Sequence, residues 1–395
     1  MNGKYQLLFS FLLPVTVVLA EETPLVPLDF NREIRPILSD KCFACHGPDK
    51  KHRKGKLRLD LEESAKDPKK SAVVPGQPKE SELFYRITTD DEEELMPPAD
   101  SGKSLTAKEK ELLRRWIAEG APWSEHWAYV PPQKHKLPTV KKTKWPTNWI
   151  DRFSLSHMEK SSQKPAPDAD PVTLVRRLHF DLTGLPPEPG VVDAFGVNPT
   201  LKAYEALVDR LLASKHYGER MALYWLDLVR FADTVGYHGD QDHSISPYRD
   251  WVIDAFNDDL PFDQFTREQL AGDLLPKATP SQIIATGYNR LLQTSHEGGV
   301  QPREYIAMYA ADRVRNLSEV WMGATMGCAQ CHDHKFDPFE IKDFYSMAAF
   351  FADIDDTAHF KNGSNSLPTR REPEISVLDR EQREQLAKLD KTIAT

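Results

Sequence analysis

All four cysteines of the 395-residue chain fall into two pairs of one spacing, Cys42-Phe43-Ala44-Cys45-His46 and Cys328-Ala329-Gln330-Cys331-His332. Two thiols three residues apart can form thioethers to both vinyl groups of one haem from a single helical turn. The histidine that follows then offers its imidazole to the iron. A disulfide, a thioredoxin-type exchange pair and half of a zinc site are the competing chemistries. The exchange pair expects a strand before it and an open helix start after it, and structural zinc expects four ligands at closer spacing. Histidine is only 13 of 395 residues, so its recurrence directly after both pairs selects covalent haem.

A six-coordinate electron-transfer haem needs a second axial ligand, and a thioether in that position raises the reduction potential. Met96 is the only methionine between residues 2 and 157. It follows the acidic run Asp90 to Glu94 and precedes Pro97-Pro98, which stiffen the loop presenting its sulfur. His52 is the rival, but it lies in a lysine-rich stretch and reads as solvated. At the second pair His332 is the proximal candidate; His334 is too close to it in sequence to reach the opposite face of the same haem easily, and His334 and Asp337 read as supporting groups. Met322, Met326, His238, His243 and His296 are distal candidates that the sequence does not rank. An open iron position there would suit catalysis or ligand sensing.

These residues need elements to hold them. Ile34, Ile37 and Leu38 lead into the first pair, with Pro36 tolerable only near a helix start. Downstream, Thr106-x-x-Glu109 is a capping box. It opens a helix with Leu112, Leu113, Trp116 and Ile117 on its apolar face and Gly120 as its stop. Residues 131–147 hold prolines and lysines in a pattern that cannot continue a helix, and they read as a linker. Helical periodicity then recurs over residues 148–160, 171–181, 201–213, 218–232, 248–258, 266–274 and 302–322. In 218–232 the apolar positions cover most of the circumference, which predicts a helix buried on all sides. Strand-type alternation is almost absent, so the expected fold is mainly α: a cytochrome c-like helical domain at 21–130 and a larger helical domain at 148–356. The tail at 357–395 reads as the start of a truncated further region, with a charged amphipathic helix over 375–393.

Lysine plus arginine number 51 against 60 acidic residues, a net charge of -9. This gives no basic field for nucleic acid, so none is expected as a partner. Lys4, an apolar run from Leu7 to Ala20, and small residues at Val18 and Ala20 before Glu21 have the form of a cleavable export signal at residues 1–20. That run is too short to span a bilayer, and no later stretch is longer, so no stable membrane insertion is expected after cleavage. His296-Glu297-Gly298-Gly299 lacks a phosphate-loop lysine, and the Tyr237 to His243 loop reads as polar surface rather than a metal site.

The segment FNREIRPILSDKCFACHG at 30–47, Leu95-Met96-Pro97-Pro98 and the helix end at 112–122 resemble the planctomycete-type cytochrome c domain. Residues 148–356 resemble a second domain usually joined to it, a planctomycete cytochrome-associated domain otherwise unassigned in function. The carrying runs are FDLTGLPP at 180–187, YRDW at 248–251, EQLAGD at 268–273 and CAQCHDHKFDP at 328–338. The resemblance implies haem binding and electron transfer in an exported protein, and it supplies no substrate.

The expected molecule is an extracytoplasmic, periplasmic or secreted cytochrome with two haem c groups per chain. Cys42, Cys45, His46 and Met96 hold the first; Cys328, Cys331 and His332 hold the second. A redox partner protein of unspecified identity is implied. The alternative is an exported haem oxidoreductase whose open second haem acts on a small molecule or a polysaccharide-derived substrate. A binding or scaffold protein with a structural haem ranks last.

Overall fold

The computed structural model describes residues 28–236, 240–295, 300–362, 370–378 and 380–393. The export-signal segment, His238 and His296 therefore lie outside the described residues. Within them the fold is mainly α, with no extended strand and only isolated bridge residues, among them the antiparallel bridge between Thr234 and Asp242. The chain divides into two units, Met1–Pro131 and Pro132–Thr395.

In the first unit a π turn, Phe30–Ile34, runs into α1 (Arg35–Lys41), followed by α2 (Phe43–His46), α3 (Glu62–Ala65), α4 (Glu82–Thr88) and α5 (Ala107–Ala118). Pro36 sits in the first turn of α1, where its missing N–H leaves no bond unmade. The Thr106–Glu109 capping box is present at the start of α5. Ile34, Leu38, Phe43, Leu113, Trp116 and Ile117 pack into one core with Leu59, Leu83 and Ile87. Fully burying each of the aliphatic side chains stabilises the unit by about 1.5–3 kcal/mol. Trp116 Nε1 donates to the Pro122 carbonyl at 2.8 Å, so the indole is buried without an orphaned donor.

The second unit comprises α6 (Trp149–Lys160), α7 (Pro171–Thr183), α8 (Pro189–Val197), α9 (Leu201–Leu212), α10 (Lys215–Leu228), α11 (Ser246–Asn257), α12 (Phe262–Ala271), α13 (Pro280–Ala285), α14 (Pro302–Met322), α15 (Ile341–Ala349), α16 (Asp356–Asn362) and α17 (Arg380–Ile393). Its principal core joins α10 to α13. Ala222, Trp225, Tyr248, Trp251, Val252, Phe265 and Tyr288 pack there, and Gln269 is fully buried among them. The Gln269 side-chain carbonyl accepts from Trp225 Nε1 at 2.9 Å and Tyr248 Oη at 2.6 Å, while its Nε2 donates to the Phe265 carbonyl. Two glycines permit this packing. A Cβ on Gly218 would lie 2.4 Å from the Ile253 carbonyl of α11, and one on Gly272 would lie 2.2 Å from the Gln282 carbonyl of α13.

The expected all-round burial of 218–232 does not hold. The helix runs from Lys215 to Leu228 and buries one face, Ala222 and Trp225, leaving Leu223, Tyr224 and Leu228 exposed. Apolar count alone cannot distinguish a helix buried on all sides from one that leaves apolar residues in solvent. The C-terminal helix also begins at Arg380, later than its amphipathic pattern suggests.

Candidate haem-attachment sites

At the first pair, Cys42 lies between α1 and α2 and opens a helical turn. Its carbonyl accepts from the Cys45 N–H at 3.1 Å and the His46 N–H at 2.8 Å. The segment that follows folds back over this turn. Lys54 N–H donates to the Cys45 carbonyl at 2.8 Å and Leu59 N–H to the His46 carbonyl at 2.7 Å. Arg53 adds bonds from Nε to the Gly47 carbonyl at 3.0 Å and from Nη2 to the Pro48 carbonyl at 2.6 Å. The carbonyls of Cys45, His46, Gly47 and Pro48 at the end of this short helix are thereby satisfied locally.

The two thiols are unbridged and differ in setting: Cys42 packs against the core, whereas Cys45 is exposed. Burial pushes the Cys42 thiol up to about 12. A thiol so hard to ionise is a poor exchange nucleophile, which disfavours the thioredoxin-type reading. A thioether sulfur carries no charge, so covalent attachment suits a buried sulfur. Burial also holds the His46 imidazole below the ordinary histidine range, opposed more weakly by the Lys54 backbone. His46 Nδ1 is buried with no hydrogen-bond partner. An orphaned Nδ1 costs about 1–3 kcal/mol, and with burial favouring the neutral imidazole one ring nitrogen keeps a lone pair that a metal can take. These residues fit haem c.

Met96 is half-buried on the loop between α4 and α5. Its N–H donates to the Arg86 carbonyl at 2.8 Å, and Tyr85 Oη donates to the Glu94 carboxylate at 2.6 Å, fixing the loop to α4. Farther along the same loop, Lys103 Nζ reaches Asp40, two residues before Cys42, at 2.8 Å. The Met96 loop is thus tethered at one side to α4 and at the other to the helix that presents the first pair. The rival His52 is half-exposed and bonds through Nδ1 to the buried Asp49 carboxylate at 2.6 Å. Neither the Lys103–Asp40 tie nor the Arg53 clamp has a signature in the sequence, because both join residues through folded loops.

The second pair has a different backbone. α14 ends at Gly323, and a 3-10 turn at Met326–Gln330 carries Cys328, with Cys331 and His332 beyond it. Met326 and Ala329 point into a core with Val314, Phe339 and Phe344, and both cysteines are left exposed. Gln330 is held from two sides. Arg315 Nη2 of α14 donates to its side-chain carbonyl, and Tyr345 Oη of α15 donates to its backbone carbonyl at 3.1 Å. His332 Nδ1 lies 2.8 Å from the Asp333 carbonyl. A carbonyl only accepts, so Nδ1 carries the proton, and the neutral ring keeps its Nε2 lone pair for a metal. This pair also fits haem c.

His334 does something else. It is buried, and its Nδ1 accepts from the N–H groups of Phe336 at 3.2 Å and Asp337 at 2.8 Å. Its burial holds it below the usual histidine range, and it fixes the turn that follows the pair. Among the distal candidates, Met326 is committed to the core, Met322 is exposed at the end of α14, and His243 lies among Arg290, Arg371 and Glu374. Among the described residues no three His, Cys, Asp or Glu side chains converge as a metal-ion site, and no helix is long and apolar enough to cross a membrane.

Residues 42–100, from the first cysteine through Met96, match the family described as planctomycete cytochrome C. Residues 149–356, which include the second pair, match the family described as protein of unknown function DUF1549. No curated protein and no solved structure matches the chain. The second match spans more than half of the sequence and the first marks a c-type cytochrome segment ahead of it: the chain belongs to the DUF1549 family and carries an N-terminal planctomycete cytochrome C domain.

Proposed function

We propose that this protein is an exported dihaem c-type cytochrome that transfers electrons outside the cytoplasm. Cys42 and Cys45 would bind the first haem covalently, with His46 and Met96 as axial ligands. Cys328 and Cys331 would bind the second, with His332 on the iron. A haem supplies one-electron chemistry; the chain sets its potential through the axial pair and its surroundings. The observation that carries the proposal is the first pair itself: a helical turn, a neutral sulfur environment at Cys42 and a buried unpaired nitrogen on His46. The alternating Nδ1 bond of His332, which leaves Nε2 available, supports extending the reading to the second pair.

One observation favours a second reading. Met326, the methionine nearest the second pair in sequence, is locked in the core, which supports an open second iron and hence an oxidoreductase. Covalent haem per chain, from pyridine haemochrome absorbance after expression with a c-type maturation system, tests the main proposal. Two per chain is expected; one would confine the cytochrome to the first unit, and none would remove it. Carbon monoxide binding by the reduced protein separates the closed second haem from the open one.

A further inference from the structure

We infer that Met308 is the distal iron ligand of the second haem, which would lie in a cavity along one face of α14. The inference rests on the dihaem reading. Gln330 sits inside the second pair, between Cys328 and Cys331, and it lines a cavity of about 440 Å³ together with Met308 and Arg315 of α14. Cofactor pockets span about 300–1,000 Å³. The thiols of Cys328 and Cys331 are unbridged and exposed, so thioethers formed there would hold a haem beside this cavity.

α14 builds the wall. Glu304, Met308, Ala311 and Arg315 recur at a spacing of three or four residues and therefore share one face of the helix. Ala307 and Ala311 carry only methyl groups beside Met308, which leaves room for a flat ring system against the helix. At the far end of this face, about two turns or roughly 10 Å from Met308 along the axis, Arg315 Nη2 donates to the Gln330 side-chain carbonyl. A rigid helix, rather than a loop, thus sets Met308 relative to the turn that carries the thiols.

Three groups on this wall could bind a metal: the Met308 thioether and the carboxylates of Glu304 and Asp312. The Asp312 carboxylate accepts from Arg230 Nη1 at 3.0 Å and Nη2 at 2.8 Å, and is committed to that pair. Carboxylates suit hard ions, whereas a thioether is an established axial donor to haem iron. Met308 is 40% exposed on an unbranched, flexible side chain. The other methionines close in sequence to the second pair lie elsewhere: Met326 and Met347 pack in the core with Phe344, and Met322, at the end of α14, does not line the cavity. A thioether on the second iron closes it, which favours electron transfer over the oxidoreductase alternative.

The test uses the full haem-loaded chain. The sulfur-to-iron charge-transfer band at the red end of the ferric spectrum is measured alongside covalent haem per chain. Expected are two haems in every sample, loss of at least half the band in Met308→Leu, and an unchanged band in Met322→Leu. The reduced wild type should resist carbon monoxide, Met308→Leu should bind one per chain, and Met308→His should restore resistance without restoring the band. Leucine conserves volume at an exposed position, so Met308→Leu should fold, and its haem count verifies this. Two haems per chain with a full band in Met308→Leu, or a wild type that binds carbon monoxide at one haem, would overturn the inference and leave the dihaem reading standing. One haem per chain in the wild type would remove both.

Discussion

Replacing Asp356 by Asn should destabilise the second unit by about 3 kcal/mol, at the lower end of the range for breaking a buried ion pair. Arg313 of α14 donates to the Asp356 carboxylate through Nη1 at 2.7 Å and Nη2 at 2.8 Å, and through Nε to the Asn289 carbonyl at 3.2 Å. Their side chains are only 3% and 8% exposed, so water cannot take over when the charge is removed. Asparagine keeps one acceptor for the guanidinium but leaves its positive charge uncompensated in a low-dielectric site. For a unit of this size that loss lowers the melting temperature by roughly 6–12 °C. Thermal and urea unfolding followed by far-ultraviolet circular dichroism would measure it. The double variant Arg313→Met, Asp356→Leu removes both charges and should recover most of the loss. A single-variant cost under about 1 kcal/mol, or a double variant no better than the single, would refute this account of α14, whose C-terminal end leads into the second cysteine pair.

Met96→Ala should lower the first haem's reduction potential while leaving covalent haem per chain unchanged; spectroelectrochemical titration giving the wild-type potential would take Met96 out of the ligand set. Gln269→Leu keeps the volume of the site but removes the acceptor of Tyr248 Oη and the nearer acceptor of Trp225 Nε1, which keeps only its 3.3 Å bond to Tyr248 Oη, and should cost about 1–3 kcal/mol in urea unfolding, against about zero if the network carries no weight. His243 is held below its ordinary value of 6.5, first by burial and then by Arg371. The unfolded chain therefore takes up this proton first, so the stability contributed is full above about pH 6.5 and declines as pH falls below it. The drop in unfolding free energy between pH 7.5 and 5.5 should shrink in His243→Gln, and an equal drop in both proteins would count against this assignment.

The candidate haem-attachment motifs were readable from one dimension because two cysteines and the following histidine fall within five consecutive residues. The fold class was readable for a similar reason: helical periodicity and the capping box at Thr106 are local, and α5, α7, α9 and α14 form where the patterns place them. What depends on residues far apart in the chain was not readable. The Lys103–Asp40 tie beside the first pair, the Arg315–Gln330 anchor behind the second, and the one-sided burial of α10 all follow from which helix faces another. His334 shows the limit most directly: as a residue type it could have been a ligand, and only its two backbone donors reveal that its lone pair is already used. The bond from Gln282 to Glu268 likewise exists only once α12 and α13 are packed, because the absence of a side chain at Gly272 lets the two elements approach closely. Local spacing thus determined which chemistry the chain can carry, and tertiary packing decided which groups are buried, paired or left open to use it.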